Sequence, residues 1–295
     1  MTNTPSKTSV NRTYAPVNYC IYCGDTNPPL TDEHIVPFAL GGKLVLPKAS
    51  CTKCQEVTKG ITQTVARSMY GNLRMRLDAP TRRPKDRPTK LPLKLRDKFG
   101  NDREIKIPIK LWPRSYPVVL LPEPSILTGE EVKTLQVQIR DHQEDIDALY
   151  ASKFVRFDEK ILLSPLIDAK TFCRQLAQIA HAHVVALIGS EYYQDFLIPI
   201  ILDQSLDAKT LFLFIGGVST DKEIRSALCL DVIERKGNRF VSCRFSMPHL
   251  GWHFPTYQIV CGIIPDEASY QKILSIMTLV DDDAAPSSPD INAAD

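Results

Sequence analysis

The sequence predicts an α+β protein in which a small cysteine-rich N-terminal unit precedes a larger α+β domain with a mainly antiparallel sheet. The first supporting observation is that four of the eight cysteines form two C-x2-C pairs near the N-terminus. The second is that residues 167–188 carry apolar side chains at helical spacing, which indicates a long helix packed on a core. The third is a series of segments with the composition of strands. These segments are residues 91–95, 105–109, 117–122, 210–218, 224–234, 239–246 and 257–264.

Length and composition exclude several classes of protein. A chain of 295 residues is long enough for roughly two domains. With 43% hydrophobic and 24% charged residues, it is neither wholly disordered nor collagen-like nor a coiled coil. No apolar run reaches the length of about 18 residues that a membrane span needs. The N-terminus has no apolar stretch after its first basic residue, so we expect a soluble, cytoplasmic protein without membrane contact.

The four paired cysteines predict a metal site. Cys20 and Cys23 form the first pair, and Cys51 and Cys54 form the second. In a reducing compartment two such knuckles supply four thiolates for a structural Zn²⁺ with closed, tetrahedral coordination. A redox C-x-x-C motif would leave the second pair without a role. The other four cysteines are predicted to be small core residues.

A basic block lies next to this cysteine-rich unit. Residues 43–110 hold 18 lysines and arginines against 6 aspartates and glutamates, although the formal net charge of the chain is only +2. Such a block favours polyanionic partners, of which phosphate backbones are the commonest. Prolines at positions 80, 84, 88 and 92 alternate with basic residues, which predicts an extended strap. The strap is either a linker alone or a contact to a phosphate backbone. For the basic block as a whole, the alternative to a polyanion-binding surface is a solvated basic face.

Helical periodicity and two histidines complete the pattern along the chain. Apolar residues recur at every fourth position from Val57 to Leu73, which predicts a helix that begins at the second cysteine pair. His181 and His183 lie two positions apart in the long apolar helix, so they point to different faces. We therefore expect core or interface histidines rather than a shared metal site.

The segment between the cysteine pairs resembles a known family. It contains Glu33-His34-Ile35-Val36-Pro37, followed by Leu40-Gly41-Gly42. An acidic residue directly before a histidine, flanked by two zinc knuckles and followed by a helix, resembles the HNH endonucleases, and most closely their zinc-bearing branch. The resemblance covers residues 20–60. Gly41 and Gly42 are predicted to form the turn that returns the chain to the second knuckle.

The resemblance implies a fold and a mechanism. It implies a ββα-metal finger that holds one catalytic Mg²⁺ or Mn²⁺, with His34 as the general base and Glu33 as a ligand of that metal. The structural zinc would hold the strand pair against the helix. Gln55 or Glu56 would supply a further ligand, whereas the alternative for Gln55 is a capping-box residue and for Glu56 a solvated helix position.

The predicted function is that of a metal-dependent endonuclease, a hydrolase that cleaves phosphodiester bonds of DNA, with RNA as a second possible substrate class. The alternative is a non-catalytic zinc-finger nucleic-acid-binding protein with a degenerate HNH site. A third interpretation makes the C-terminal domain the active part and the finger a targeting device. Several basic residues are candidate contacts to phosphates. They are Lys43, Arg67, Arg74, Arg76, Arg82 and Arg83.

The predicted domain organisation has five parts. Disordered tails occupy residues 1–15 and 281–295, of which the second is acidic. The HNH nuclease domain spans 16–78, a basic proline-rich linker spans 79–93, and an α+β domain of unknown function spans 94–280.

Overall fold

A computed structural model describes residues 14–81, 83–132, 134–163, 165–218, 228–247 and 255–283. Every strand pair in these ranges is antiparallel, so the predicted α+β class with antiparallel sheets is confirmed. The strands are β1 Leu30–His34, β2 Val45–Cys51, β3 Lys90–Arg96, β4 Asp102–Pro108, β5 Ser115–Leu120, β6 Gln136–Asp141, β7 Lys160–Leu162, β8 Gln194–Asp195, β9 Ile215–Gly217, β10 Leu228–Arg235, β11 Asn238–Phe245 and β12 Tyr257–Ile263.

The helices are interspersed among these strands. They are α1 Thr52–Thr64, α2 Gly71–Arg76, α3 Ser125–Thr128, α4 Gln143–Ala151, α5 Ala169–Ile188, α6 Leu197–Leu202, α7 Ala208–Phe214 and α8 Glu267–Asp283. None of the described helices combines the length and the apolar character of a membrane span.

The N-terminal unit is a hairpin followed by a helix. Strands β1 and β2 pair with each other, and α1 begins directly after β2. A π-helical turn, Val65–Met69, connects α1 to α2. The apolar residues at every fourth position lie on the buried side of this helical run, as the periodicity predicts. Those that are fully buried are Ile61, Val65, Met69 and Leu73.

The basic strap is shorter than the predicted linker 79–93. Strand β3 begins at Lys90, and Leu91 and Leu93 are buried in a small core beneath the sheet β4-β3-β7. The end of the predicted linker therefore belongs to a strand, because its alternating leucines reach a core. The segment before β3 contains a 3-10 turn, Pro84–Asp86, rather than a uniformly extended chain.

The C-terminal part packs α5 against a five-stranded sheet of order β10-β11-β12-β8, with β9 also paired to β12. The long helix predicted at 167–188 is present, and it begins after Asp168, whose side chain accepts a hydrogen bond from the Thr171 backbone N–H. The strand predicted at 210–218 is wrong for its first half. That half is α7, because Asp207 caps a helix by accepting from the Thr210 N–H at 2.8 Å.

One hydrophobic core joins the finger to the C-terminal sheet. Its members run from Cys20 in the first knuckle through Leu73 in α2 to Leu176 in α5 and Ile273 in α8. Helix α5 is buried along most of its length between α1 and the sheet, and both His181 and His183 belong to this buried surface. The boundaries of the predicted domains stay a prediction. The predicted tails lie largely outside the described residues, since only 14–15 and 281–283 are among them.

We predict that His183 gives the fold a pH dependence. Burial lowers the pKa of His183 to about 4, below the value of 6.5 for an unperturbed histidine. Between these values the unfolded chain binds more protons than the folded one, so the free energy of unfolding falls as the pH falls. The loss should reach about 3 kcal/mol at pH 4 and then level off. His183→Leu should lack this loss of stability. The free energy of unfolding of both proteins is measured by urea denaturation between pH 7 and pH 4, and an equal fall in both would contradict the prediction.

Candidate functional site

An irregular hairpin shapes the finger. Thr31 faces Ser50, whereas Glu33 faces Leu46, so a step of two positions along β1 corresponds to a step of four along β2. The extra residues bulge at Lys48, which has a positive φ of 49° and donates its backbone N–H to Asp32 Oδ1 at 3.2 Å. Asp32 therefore stabilises the bulge by accepting from the backbone.

The two glycines of the motif have separate backbone roles. Gly41 ends a 3-10 turn with φ of 89°, a conformation that favours glycine. Gly42 approaches the Val36 carbonyl so closely that a Cβ atom would lie 1.8 Å from its oxygen. The predicted turn between the motif and β2 is thus present, and it depends on the absence of side chains at both positions.

The four paired cysteines converge in space. Among the described residues, Cys20, Cys23, Cys51 and Cys54 form the one group of metal-ligand side chains found, with all four Sγ atoms within 4.8 Å of one another. Cys23 Sγ and Cys51 Sγ are 3.8 Å apart, close to the edge of a tetrahedron with Zn–S bonds of about 2.3 Å. Burial raises the pKa of the Cys54 thiol, so a thiolate there needs a cation nearby. The donors and spacing fit a tetrahedral metal ion.

Glu33 is a carboxylate buried at the junction of the finger and α5. Only 5% of its surface is exposed. Its Oε1 accepts from the Tyr22 hydroxyl at 3.0 Å and from Gln178 Nε2 at 2.9 Å. Burial raises the pKa of Glu33, and the two hydrogen bonds oppose that rise. Tyr22 lies inside the first knuckle, so the four cysteines and the candidate catalytic carboxylate share one support.

A cleft of about 560 Å³ opens over β1 and α1. Glu33 and His34 both line it, and the ring of Phe38 lies edge-on to His34 with the centroids 6.1 Å apart. Pro80 and Thr81 of the strap also line the cleft. The structure therefore brings the carboxylate and imidazole of the motif to one solvent-accessible site beside the strap.

The two candidates for a further metal ligand lie in different places. Gln55 lines the cleft, and its Nε2 donates to Thr31 Oγ1 at 2.9 Å, which ties α1 to β1. The N-cap of α1 is Cys51, without a side-chain hydrogen bond, so the capping-box role for Gln55 is wrong. Glu56 is exposed and is not among the residues that line the cleft.

The predicted phosphate contacts also differ in their surroundings. Arg83 lines the cleft and is exposed. Arg74 lines it too, but its guanidinium donates to the carbonyls of Ala39, Ala66 and Pro80, and burial and repulsion from neighbouring arginines lower its pKa. Arg74 thus braces the wall of the cleft.

Two other candidates lie away from the cleft. Arg76 donates to the Trp112 carbonyl at 3.0 Å and pairs with Asp145. Lys43 is exposed outside the cleft. Arg82 lies outside the described residues.

Three further residues line the cleft besides those discussed above. Lys59 of α1 and Arg67 of the π-helical turn are exposed and basic, and Gln178 comes from α5. The sequence does place Arg67 among possible phosphate contacts. For Gln178 the available signal is that it is one of two glutamines, with Gln175, on the buried face of a long, mainly apolar helix.

A second contact from α5 holds the first knuckle. His181 Nε2 donates to the carbonyl oxygen of Ile21 at 2.8 Å, and its Nδ1 lies 2.8 Å from Asp195 Oδ2. Asp195 Oδ1 accepts from the backbone N–H groups of Leu197 and Ile198. The imidazole therefore bridges the backbone of the first knuckle and the Asp195 carboxylate.

Comparison with known proteins identifies the same segment. Residues 20–67 match the family model described as HNH endonuclease, so the resemblance inferred from the cysteine pairs and the Glu33-His34 motif is confirmed there. The match ends in the π-helical turn and does not include α5. A segment of this family indicates nuclease-type activity. Searches of curated proteins and of solved structures gave no match.

We predict that His181→Leu loosens the first knuckle. Removing the imidazole leaves the buried Ile21 carbonyl without its donor and Asp195 Oδ2 without its ring partner. A buried polar group that loses its partner costs about 1 to 3 kcal/mol. The zinc-loaded variant should unfold at lower urea concentration and lose zinc faster to a chromogenic chelator. His183→Leu, two residues along the same helix, is the matched control and should keep its zinc. Equal zinc release by both variants would contradict the clamp.

Proposed function

We propose that the protein is a metal-dependent endonuclease that hydrolyses phosphodiester bonds of DNA, with a structural Zn²⁺ on the four cysteines. The observation that carries the proposal is the convergence of Glu33 and His34 in one basic-walled cleft within the segment that matches the HNH family. A zinc ion on the thiolates would hold β2 and the start of α1 to the first knuckle, because each cysteine pair lies on a different segment.

The proposed roles follow from the chemistry of each side chain. His34 accepts a proton from the attacking water, which a neutral imidazole does near neutral pH. Glu33 supplies a carboxylate oxygen as a ligand for the catalytic cation. Mg²⁺ or Mn²⁺ bound there would neutralise charge that develops on the phosphate. Such ions bind through one or two protein carboxylates and complete their shell with water and phosphate oxygens, so a sparse ligand set fits.

The walls of the cleft support a nucleic-acid substrate. Lys59, Arg67 and Arg83 are exposed there on three different segments. Cations spaced around a groove attract a phosphate backbone without selecting a base sequence. The strap takes part in this wall through Arg83, which favours its interpretation as a phosphate contact over that of a linker alone.

A second candidate function is nucleic-acid binding without cleavage. Gln55 favours it, because its amide N–H₂ bonds to Thr31 and only its neutral carbonyl oxygen is left to ligate a cation. Within the described ranges, the four cysteines are also the one cluster of three or more metal-ligand side chains. The two functions differ in whether bound DNA is cut.

We predict that His34→Ala lowers the cleavage rate about 10²- to 10⁴-fold, because the general base is lost, while DNA affinity is unchanged. The assay follows plasmid nicking by zinc-loaded protein with Mg²⁺ or Mn²⁺, and metal is omitted rather than chelated so that the zinc stays bound. His142→Ala is the matched control, because that histidine does not line the cleft. Folded wild-type protein that binds DNA without cutting it would establish the binding function instead.

We further predict that the cleft cations set the salt dependence of DNA binding. Lys59→Ala and Arg67→Ala should each weaken binding and reduce the slope of log K against log salt by about 1. Lys43→Ala should leave the slope unchanged, since Lys43 is equally exposed but lies outside the cleft. Fluorescence anisotropy without added divalent metal measures all three. If the wild type and all three variants gave the same slope, the DNA would not bind in the cleft.

A further inference from the structure

Helix α5 reaches the candidate catalytic carboxylate from a part of the chain outside the family match. Gln178 lies 145 residues from Glu33 in sequence and donates its Nε2 to Glu33 Oε1 at 2.9 Å. Gln178 is 3% exposed and also lines the cleft. Its own Oε1 accepts from Gln175 Nε2 at 3.2 Å, so both ends of the amide have a partner.

Tyr22 and Gln178 both donate to the same oxygen of Glu33. Tyr22 and Gln178 approach Oε1, and each is a neutral donor. A carboxylate has about four lone-pair sites on its two oxygens, so these two contacts orient the group and leave lone pairs for a further ligand. Neutral donors also leave its negative charge uncompensated. The imidazole of His181 is engaged elsewhere, since its Nδ1 lies 2.8 Å from Asp195 Oδ2.

We propose that Gln178 is a positioning residue of the nuclease site: with Tyr22 it fixes Oε1 of Glu33 and thereby presents Oε2 to a divalent cation in the cleft. This inference rests on the proposed function. The active site is then built from two parts of the chain, the finger and α5. Partners that orient a metal ligand are typically worth 10- to 100-fold in metal affinity.

A purely structural role for Gln178 makes a different prediction. Loss of a buried hydrogen bond would lower the stability of the protein and leave the metal affinity of the folded molecules unchanged. A positioning role weakens metal binding, raises the metal concentration needed for half-maximal cleavage, and lets saturating metal restore much of kcat. The two roles therefore separate in a metal titration.

The test is Mn²⁺ binding to zinc-loaded, full-length protein, followed by electron paramagnetic resonance of the free ion. Gln178→Met keeps the length of the side chain and removes the donor, and we expect about tenfold weaker Mn²⁺ binding. Tyr22→Phe removes the second donor with little change of shape and should act in the same direction, even if Gln178→Met folds poorly. His183→Leu, a buried polar change on the same helix, should bind Mn²⁺ like the wild type.

Glu33→Gln separates this inference from the proposed function. Wild-type protein that binds Mn²⁺ no better than Glu33→Gln has no metal site at Glu33, and the proposed function fails together with the inference. If Glu33 is needed for Mn²⁺ binding but Gln178→Met and Tyr22→Phe bind the ion as tightly as the wild type, the inference alone is overturned. Weaker binding in both variants, with cleavage restored at high Mn²⁺, supports it.

Discussion

A buried carboxylate needs hydrogen-bond donors, and Glu33 obtains them from two distant parts of the chain. Tyr22 belongs to the first cysteine knuckle, and Gln178 belongs to a helix that begins more than a hundred residues later. Since both donate to one oxygen, the hairpin of the finger, the knuckle and α5 must keep a fixed mutual arrangement for Glu33 to remain satisfied. The common hydrophobic core provides that arrangement.

The finger is therefore best described as one wall of a larger site. Its own residues supply the motif, the cysteines and the turn at Gly41 and Gly42, all within the matched segment. The π-helical turn carries Arg67 to the cleft, and Arg74 braces the wall of the cleft by bonding carbonyls from three segments. The shape of the cleft depends on backbone groups that a short motif does not encode. The proposed chemistry thus uses local residues, while their placement uses the entire core.

Local sequence patterns predicted the finger and the long helix because their signals are short-range: cysteine spacing, a Glu-His pair and periodic apolar residues. The strand at 210–218 was wrong because an apolar run does not distinguish strand from helix, although Asp207 and Thr210 carried a capping signal. The contact of Gln178 with Glu33 could not be predicted, since it joins residues 145 positions apart in the sequence. Arg74 looked like a phosphate contact because charge alone cannot show that a guanidinium is already bonded to carbonyls.

The central claim, that the finger and α5 form one structural unit around Glu33, can be tested by hydrogen exchange on the full-length protein with and without zinc. Because Ile21 and Tyr22 of the knuckle contact His181 and Glu33, zinc removal should deprotect amides in the knuckles and also in the stretch of α5 around Gln178 and His181. Deprotection that stops at the finger, with α5 as protected as in the zinc-loaded protein, would contradict the account.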